Sequence, residues 1–187
     1  MALILASGSP RRRELMGFIT DSFTVKVSDA EENTDFSQTP DRIVISLAEQ
    51  KGRAVMPLCS ENDVIISADT VVFIDGEVLG KPENADGARA MLRHLSGRTH
   101  TVYTGVSIHT PNGTVSFSDK TDVTFNGLSD CDIESYIATG EPFDKAGAYG
   151  IQGKGALLVK GICGDFYNVM GFPVARVYRE LKRLCVL

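Results

Sequence analysis

A chain of 187 residues with 43% apolar and 23% charged side chains can bury a full core, as one domain or as one domain with a compact lobe. Its net charge of −5 argues against a general nucleic-acid surface, so an anion site has to be a local concentration of positive charge. No run reaches the roughly 20 apolar residues of a membrane span. The early arginines follow rather than precede the first apolar run, unlike a signal peptide, and the four cysteines form no C-x-x-C pair; a reduced, cytoplasmic protein without membrane partner or structural zinc is expected.

Leu3-Ile4-Leu5-Ala6 reads as a buried strand, Ser7-Gly8-Ser9 as a tight turn, and Pro10 as the first residue of a helix that Gly17 can end. A strand, a small-residue turn and a helix start make an anion site, with Ser9 as N-cap and the first-turn amides pointing outward. Arg11, Arg12 and Arg13 oppose the helix dipole there, a conflict that a bound phosphate would offset; a solvated basic turn is the plainer alternative. Residues 23–27 alternate as a strand and lead into Ser28-Asp29-Ala30-Glu31-Glu32, either a solvated acidic loop or a source of one carboxylate for Mg²⁺. Thr39 and Pro40 open a helix to about Val55 with Ile43, Leu47, Ala48 and Ala54 inward and Glu49, Lys51 and Arg53 mostly outward.

Residues 64–68 form a dense β-branched run, the pattern of a central strand, which is expected to end at Asp69. Asp75-Gly76 is a strong hairpin signal. With Ile74 opposite Glu77, the register extrapolates to Thr70 opposite Lys81, making Asp69 and Lys81 neighbours: a structural salt bridge or part of a site. A helix over 85–95 turns Ala88, Met91, Leu92 and Leu95 inward, closed by Gly97. Strands over 99–108 and 114–125 flank Pro111-Asn112-Gly113, and Ser129 caps a helix to about Thr139. His94, His100 and His109 lack metal-ligand spacing and read as structural or solvated. In the glycine-rich loop over 144–155, Tyr149 offers an aromatic face and Gln152 an amide able to read a base edge. It is neither a Walker A loop nor a dinucleotide fingerprint. A strand over 156–162 and a helix over 173–184 close the chain. Strands alternate with helices, but the two hairpins require antiparallel pairs, so an α/β fold with a mixed sheet follows.

Several of these segments resemble one family. Ser7-x-Ser9-Pro10-Arg11-Arg12, Ala68-Asp69-Thr70, Gly80-Lys81-Pro82, Leu92-Arg93-x-Leu95-Ser96-Gly97-Arg98, Asp144-Lys145-Ala146-Gly147-Ala148-Tyr149-Gly150-Ile151-Gln152-Gly153 and Asn168-Val169-Met170-Gly171-Phe172-Pro173 are similar to the motifs of the Maf nucleotide pyrophosphatases, also described as septum-formation inhibitors. The resemblance runs nearly end to end and implies a single domain over 1–187 of inosine-triphosphatase-like architecture: a curved mixed sheet, flanking helices and a cleft between two lobes. It implies hydrolysis of a nucleoside triphosphate to the monophosphate and pyrophosphate without a covalent intermediate. Catalysis falls to Asp69, Lys81 and Glu31, the last favoured over Glu32. Ser7, Ser9, Arg11, Arg12, Lys51 and Lys81 would bind phosphate, and Glu31 with Asp69 would hold Mg²⁺, with Mn²⁺ or Co²⁺ as alternatives. Arg11, Thr70 and Gln152 would set the base, and the Ala-Asp-Thr and Gly-Ile-Gln forms match the branch acting on dTTP and UTP, with modified pyrimidines as further substrates. The competing reading is a non-catalytic nucleotide-binding regulator of septum formation, in keeping with the family's link to cell-division arrest. A homodimer is the commonest assembly for such a chain.

Overall fold

Four consecutive buried residues form β1 (Leu3–Ala6), followed by α1 (Pro10–Gly17), in the computed structural model, which describes residues 1–29 and 33–187. Pro10 supplies the preset φ for the first turn, and the Ser9 hydroxyl accepts from the Arg12 amide at 3.5 Å. Then come β2 (Thr24–Val25), shorter than the alternation over 23–27 predicts, and α2 (Pro40–Val55), whose N-cap residue Thr39 makes no side-chain cap. β3 (Val64–Ile74) and β4 (Glu77–Leu79) form the first hairpin, α3 (Ala85–Leu95) follows, and β5 (Thr99–Thr110) and β6 (Gly113–Phe125) are long neighbouring strands. α4 (Asp130–Ile137) begins with a capping box between Ser129 and Asp132. The chain ends with β7 (Val159–Cys163), α5 (Phe166–Val169) and α6 (Val174–Arg183).

The open sheet runs β2-β1-β3-β5-β6-β7, with β4 paired to β3. β1 is parallel to β2 and β3, whereas β3–β4 and β6–β7 are antiparallel, so the sheet is mixed, and helices flank it. β3 does not stop at Asp69. Val71, Val72 and Phe73 carry the β-branched and aromatic pattern on to Ile74, and Asp75 and Gly76, with φ of 53° and 86°, make the tight turn. The ladder pairs Ile74 with Glu77, Phe73 with Val78 and Val72 with Leu79. The Gly80 carbonyl then accepts from the Gly147 amide at 2.9 Å, so the extrapolated pairing of Thr70 with Lys81 is not part of the ladder. The last strand also shifts: Gly153–Leu157 is a 3₁₀ helix, and pairing begins only at Val159.

The chain forms two compact units. Met1–Thr70, Thr104–Asp119 and Gly171–Leu187 make the first; Val71–Tyr103 and Lys120–Met170 make the second. In the first unit α2 is drawn tightly to the strands. Ser67 donates to the Ala48 carbonyl at 2.6 Å, and Gly105 lies so close to the backbone of α2 that a Cβ there would stand 2.3 Å from the Val44 carbonyl carbon. In the second unit Val72, Leu92, Val102, Phe125, Ile133 and Leu158 build the core, with α3 against α4 and Arg89 bridging to Glu134 and Asp86.

His100 belongs to that second core. It is 2% exposed, its Nε2 shares a 2.7 Å hydrogen bond with the Tyr149 hydroxyl, and it meets the Phe125 ring edge to face. Burial drives its pKa down to about 4. The folded state therefore keeps His100 neutral where the unfolded chain, titrating near 6.5, binds a proton. Stability from this group is complete above the unfolded pKa and is lost as pH falls from about 6.5 toward 4. At pH 5 the expected loss is about 2 kcal/mol. Urea unfolding at pH 7 and pH 5, in wild type and His100→Gln, checks this: the pH dependence should shrink in the variant.

Candidate active site

Two constellations of polar side chains lie in the first unit, both on β3. The first is an ion pair. Lys51 projects from α2, and its Nζ meets Asp69 Oδ1, with the two side chains only 25% and 15% exposed. Helical spacing alone predicts Lys51 to be outward. Its four-carbon stem is long enough to bring the ammonium back to the strand, where the Asp69 carboxylate pairs with it.

The second constellation surrounds Arg12. Its Nε donates to the Gly171 carbonyl at 2.8 Å, Nη2 to Thr70 Oγ1 at 3.1 Å and Nη1 to Ser7 Oγ at 3.5 Å. Thr70 Oγ1 shares a further 2.9 Å bond with the fully buried Thr104 hydroxyl, and Ser7 Oγ accepts from the Ser9 amide at 3.3 Å. The strand–turn–helix segment thus places Ser7, Ser9 and Arg12 side by side. Arg11 is half-buried on the same helix turn.

Adjacent residues of a strand point to opposite faces. Asp69 and Thr70 therefore serve different partners: Ser67 and Asp69 face α2, and Thr70 faces Arg12 and Thr104. Thr104 and Gly171 are contributors that reading the sequence does not find. Thr104 is one threonine in an alternating strand. Gly171 acts through its carbonyl, which every residue has; its only signal is its place in the motif before Phe172-Pro173, where it adopts a φ of 97°.

Two sequence-derived candidates belong to the second unit. Lys81 is exposed just after β4, and Gln152 is half-buried at the N-cap of the 3₁₀ helix Gly153–Leu157. Tyr149 is not available as an aromatic face. It is 5% exposed, packs edge to face on Phe125 with ring centroids 4.7 Å apart, and spends its hydroxyl on His100. Glu31, and with it the choice against Glu32, lies outside the described residues. Among the described residues no group of three His, Cys, Asp or Glu side chains is arranged to hold a metal ion, and no helix is long and apolar enough to cross a membrane.

The family model for Maf-like proteins matches residues 2–184. The chain belongs to the Maf-like family. A dTTP/UTP pyrophosphatase of Bacillus velezensis (strain DSM 23117) is 54% identical to this Maf-like chain, covering 96% of it and 95% of the relative. A dTTP/UTP pyrophosphatase of Bacillus mycoides (strain KBAB4) is 51% identical, covering 97% and 94%. Among solved structures, a HAM1 protein from Coxiella burnetii superposes with a TM-score of 0.50 over 98% of the Maf-like chain and 100% of its own. At 15% identity that is a likeness of fold. The mixed sheet with flanking helices is thus common to both.

Proposed function

We propose that this protein is a nucleoside triphosphate pyrophosphatase that hydrolyses dTTP and UTP to the monophosphate and pyrophosphate. The observation that carries the reading is the identity of about half of all positions with dTTP/UTP pyrophosphatases over nearly the entire chain. The paired Lys51 and Asp69 and the Arg12 cluster support it with a chemistry. Phosphoryl transfer needs charge neutralisation and a positioned nucleophile more than a reactive side chain.

In this mechanism Arg11, Arg12, Lys51 and Lys81 neutralise the triphosphate, and the hydroxyls of Ser7 and Ser9 with the α1 amides seat its oxygens. Arg12 suits the task because Thr70, Ser7 and the Gly171 carbonyl fix its guanidinium before substrate arrives. Asp69 orients the attacking water and takes its proton. The water oxygen bonds to the α-phosphorus, the bond from that phosphorus to the bridging oxygen breaks, and pyrophosphate leaves with the electron pair. Lys51 exchanges Asp69 for phosphate, so substrate binding frees the carboxylate that has to act. The base is read by Arg11, Thr70 and Gln152; uracil and thymine present two carbonyl acceptors and one N–H donor, which an amide and a hydroxyl can match.

Mg²⁺ in the mode of one or two carboxylates plus substrate phosphates needs no protein cage, and Asp69, half-buried beside Lys51, offers one such carboxylate. Asp69 and Glu31 would hold the ion, with Mn²⁺ or Co²⁺ as substitutes. Bound there, the cation would withdraw charge from the phosphate oxygens.

Pyrophosphate release from a panel of nucleoside triphosphates tests the reading. Turnover of dTTP and UTP above the purine nucleotides is expected with Mg²⁺ or Mn²⁺, with loss of activity in excess EDTA and recovery on adding metal. Binding of nucleotide without turnover of any triphosphate under either metal would replace the enzyme with a nucleotide-binding regulator.

A further inference from the structure

We propose that Glu141 and Tyr136 are positioning residues for Gln152, holding the backbone from which its amide reaches the base; this rests on the reading of Gln152 as a base contact given above. Gln152 stands between Gly150 and the 3₁₀ helix Gly153–Leu157, in a stretch without ladder partners of its own. Side chains from the segment ending α4 grip that stretch on both sides. On one side the Tyr136 hydroxyl accepts from the Gly150 amide at 3.1 Å. On the other, Glu141 Oε1 accepts from the Lys154 amide at 3.1 Å and Oε2 from the Gly155 amide at 3.4 Å. A carboxylate thus meets the amides of the 3₁₀ helix's first turn, where hydrogen bonds to a charged acceptor are strongest.

The loop is shaped around this carboxylate. Gly153 has a φ of 62°, and a Cβ on it would stand 2.8 Å from Glu141 Oε1. Glu141 is itself fixed: its amide donates to Thr139 Oγ1 at 3.1 Å, and its carbonyl accepts from Lys145 Nζ at 2.6 Å. Thr139 Oγ1 in turn donates to the Tyr136 carbonyl at 2.6 Å, tying the two gripping residues together. Burial lifts the Tyr136 pKa to about 12, and the neighbouring Glu141 adds to the rise, so the phenol stays protonated and can donate to that carboxylate. A cap that served stability alone could sit anywhere along the loop. Here the contacts fall on Gly150, Lys154 and Gly155, bracketing Gln152.

The test compares kcat and KM for UTP and CTP, whose bases differ in the donor and acceptor at N3 and C4 that an amide reads. The full chain is used as wild type, Glu141→Gln, Tyr136→Phe, Gln152→Ala and the double variant E141Q/Q152A. Glu141→Gln is expected to lower the preference for UTP in kcat/KM about tenfold, chiefly through KM, with Tyr136→Phe shifting it the same way by a smaller factor. Adding E141Q to Q152A should change the preference by less than about twofold, because nothing remains to be positioned. Equal losses for UTP and CTP, or a loss that adds fully to that of Gln152→Ala, overturns the inference. If Gln152→Ala itself keeps the wild-type preference, the base reading of Gln152 falls and the inference with it, whereas the pyrophosphatase reading stands on the wild-type turnover. Should E141Q not fold by circular dichroism, Y136F decides on the same criteria.

Discussion

Asp69→Asn is expected to lower kcat for UTP by about a thousandfold while the protein stays folded. Asn matches the shape of Asp and keeps a carbonyl oxygen for the Lys51 ammonium, so the half-buried contact between α2 and β3 survives in weakened form. What disappears is the negative charge and the basicity. An amide neither takes a proton from water nor competes for a divalent cation, and loss of a general base alone typically costs about 10²–10⁴ in rate. The melting temperature should fall by no more than about 4 °C, corresponding to about 1 kcal/mol in a chain of this length. Steady-state pyrophosphate release beside a calorimetric scan gives both quantities. A D69N variant retaining more than about a tenth of the wild-type kcat would remove Asp69 from the chemistry, and a collapsed melting transition would mean that the pair is structural first.

The second large effect concerns the fold that carries Lys51. Gly105→Ala should destabilise by about 3 kcal/mol, at the upper end of overpacking costs. The added Cβ would lie 2.3 Å from both the carbon and the oxygen of the Val44 carbonyl and 2.7 Å from the Ile45 nitrogen. These are backbone atoms in the middle of α2, where no rotamer change can relieve the clash. The helix has to move off β5 or the strand has to bend, and either displaces Lys51 from Asp69, so kcat/KM should fall along with stability. Gly161→Ala, where a Cβ meets nothing within 4 Å, is the control and should stay within about 0.5 kcal/mol of wild type. Equal urea midpoints for the two variants would show that α2 is not held by this contact.

Local chemistry made much of the fold legible in the sequence. Pro10, Pro40 and Ser129 mark helix starts because capping and preset φ act within a single turn, and Asp75-Gly76 marks the hairpin because few other residue pairs accept two successive positive φ angles. Readings failed where tertiary contacts decide. The expected strand over 156–162 begins only at Val159, because the 3₁₀ helix Gly153–Leu157 takes up its first residues; Glu141, more than ten residues earlier, holds the Lys154 and Gly155 amides of that helix. Tyr149 carries an aromatic ring in a glycine-rich loop, a pattern that looks like a ligand surface, yet His100 and Phe125 draw it into the core. In the candidate site, Ser7, Ser9 and Arg12 follow from one continuous segment. Thr104 and the Gly171 carbonyl join them only through folding, and the pairing of Lys51 with Asp69 depends on how closely α2 approaches β3.

β3 has a consequence for how this protein can change over time. Ser67, Asp69 and Thr70 lie close together on one strand, and Leu3, Ile4, Leu5 and Ala6 of β1 fix its position by pairing with Val64 through Ser67. Deleting one residue between Val64 and Ala68 would leave the hydrophobic composition almost unaltered but turn every later side chain to the opposite face. Asp69 would leave Lys51 and Thr70 would leave Arg12 in the same event. Insertions and deletions are therefore barred from this strand, whereas the exposed Pro111-Asn112 turn can absorb them.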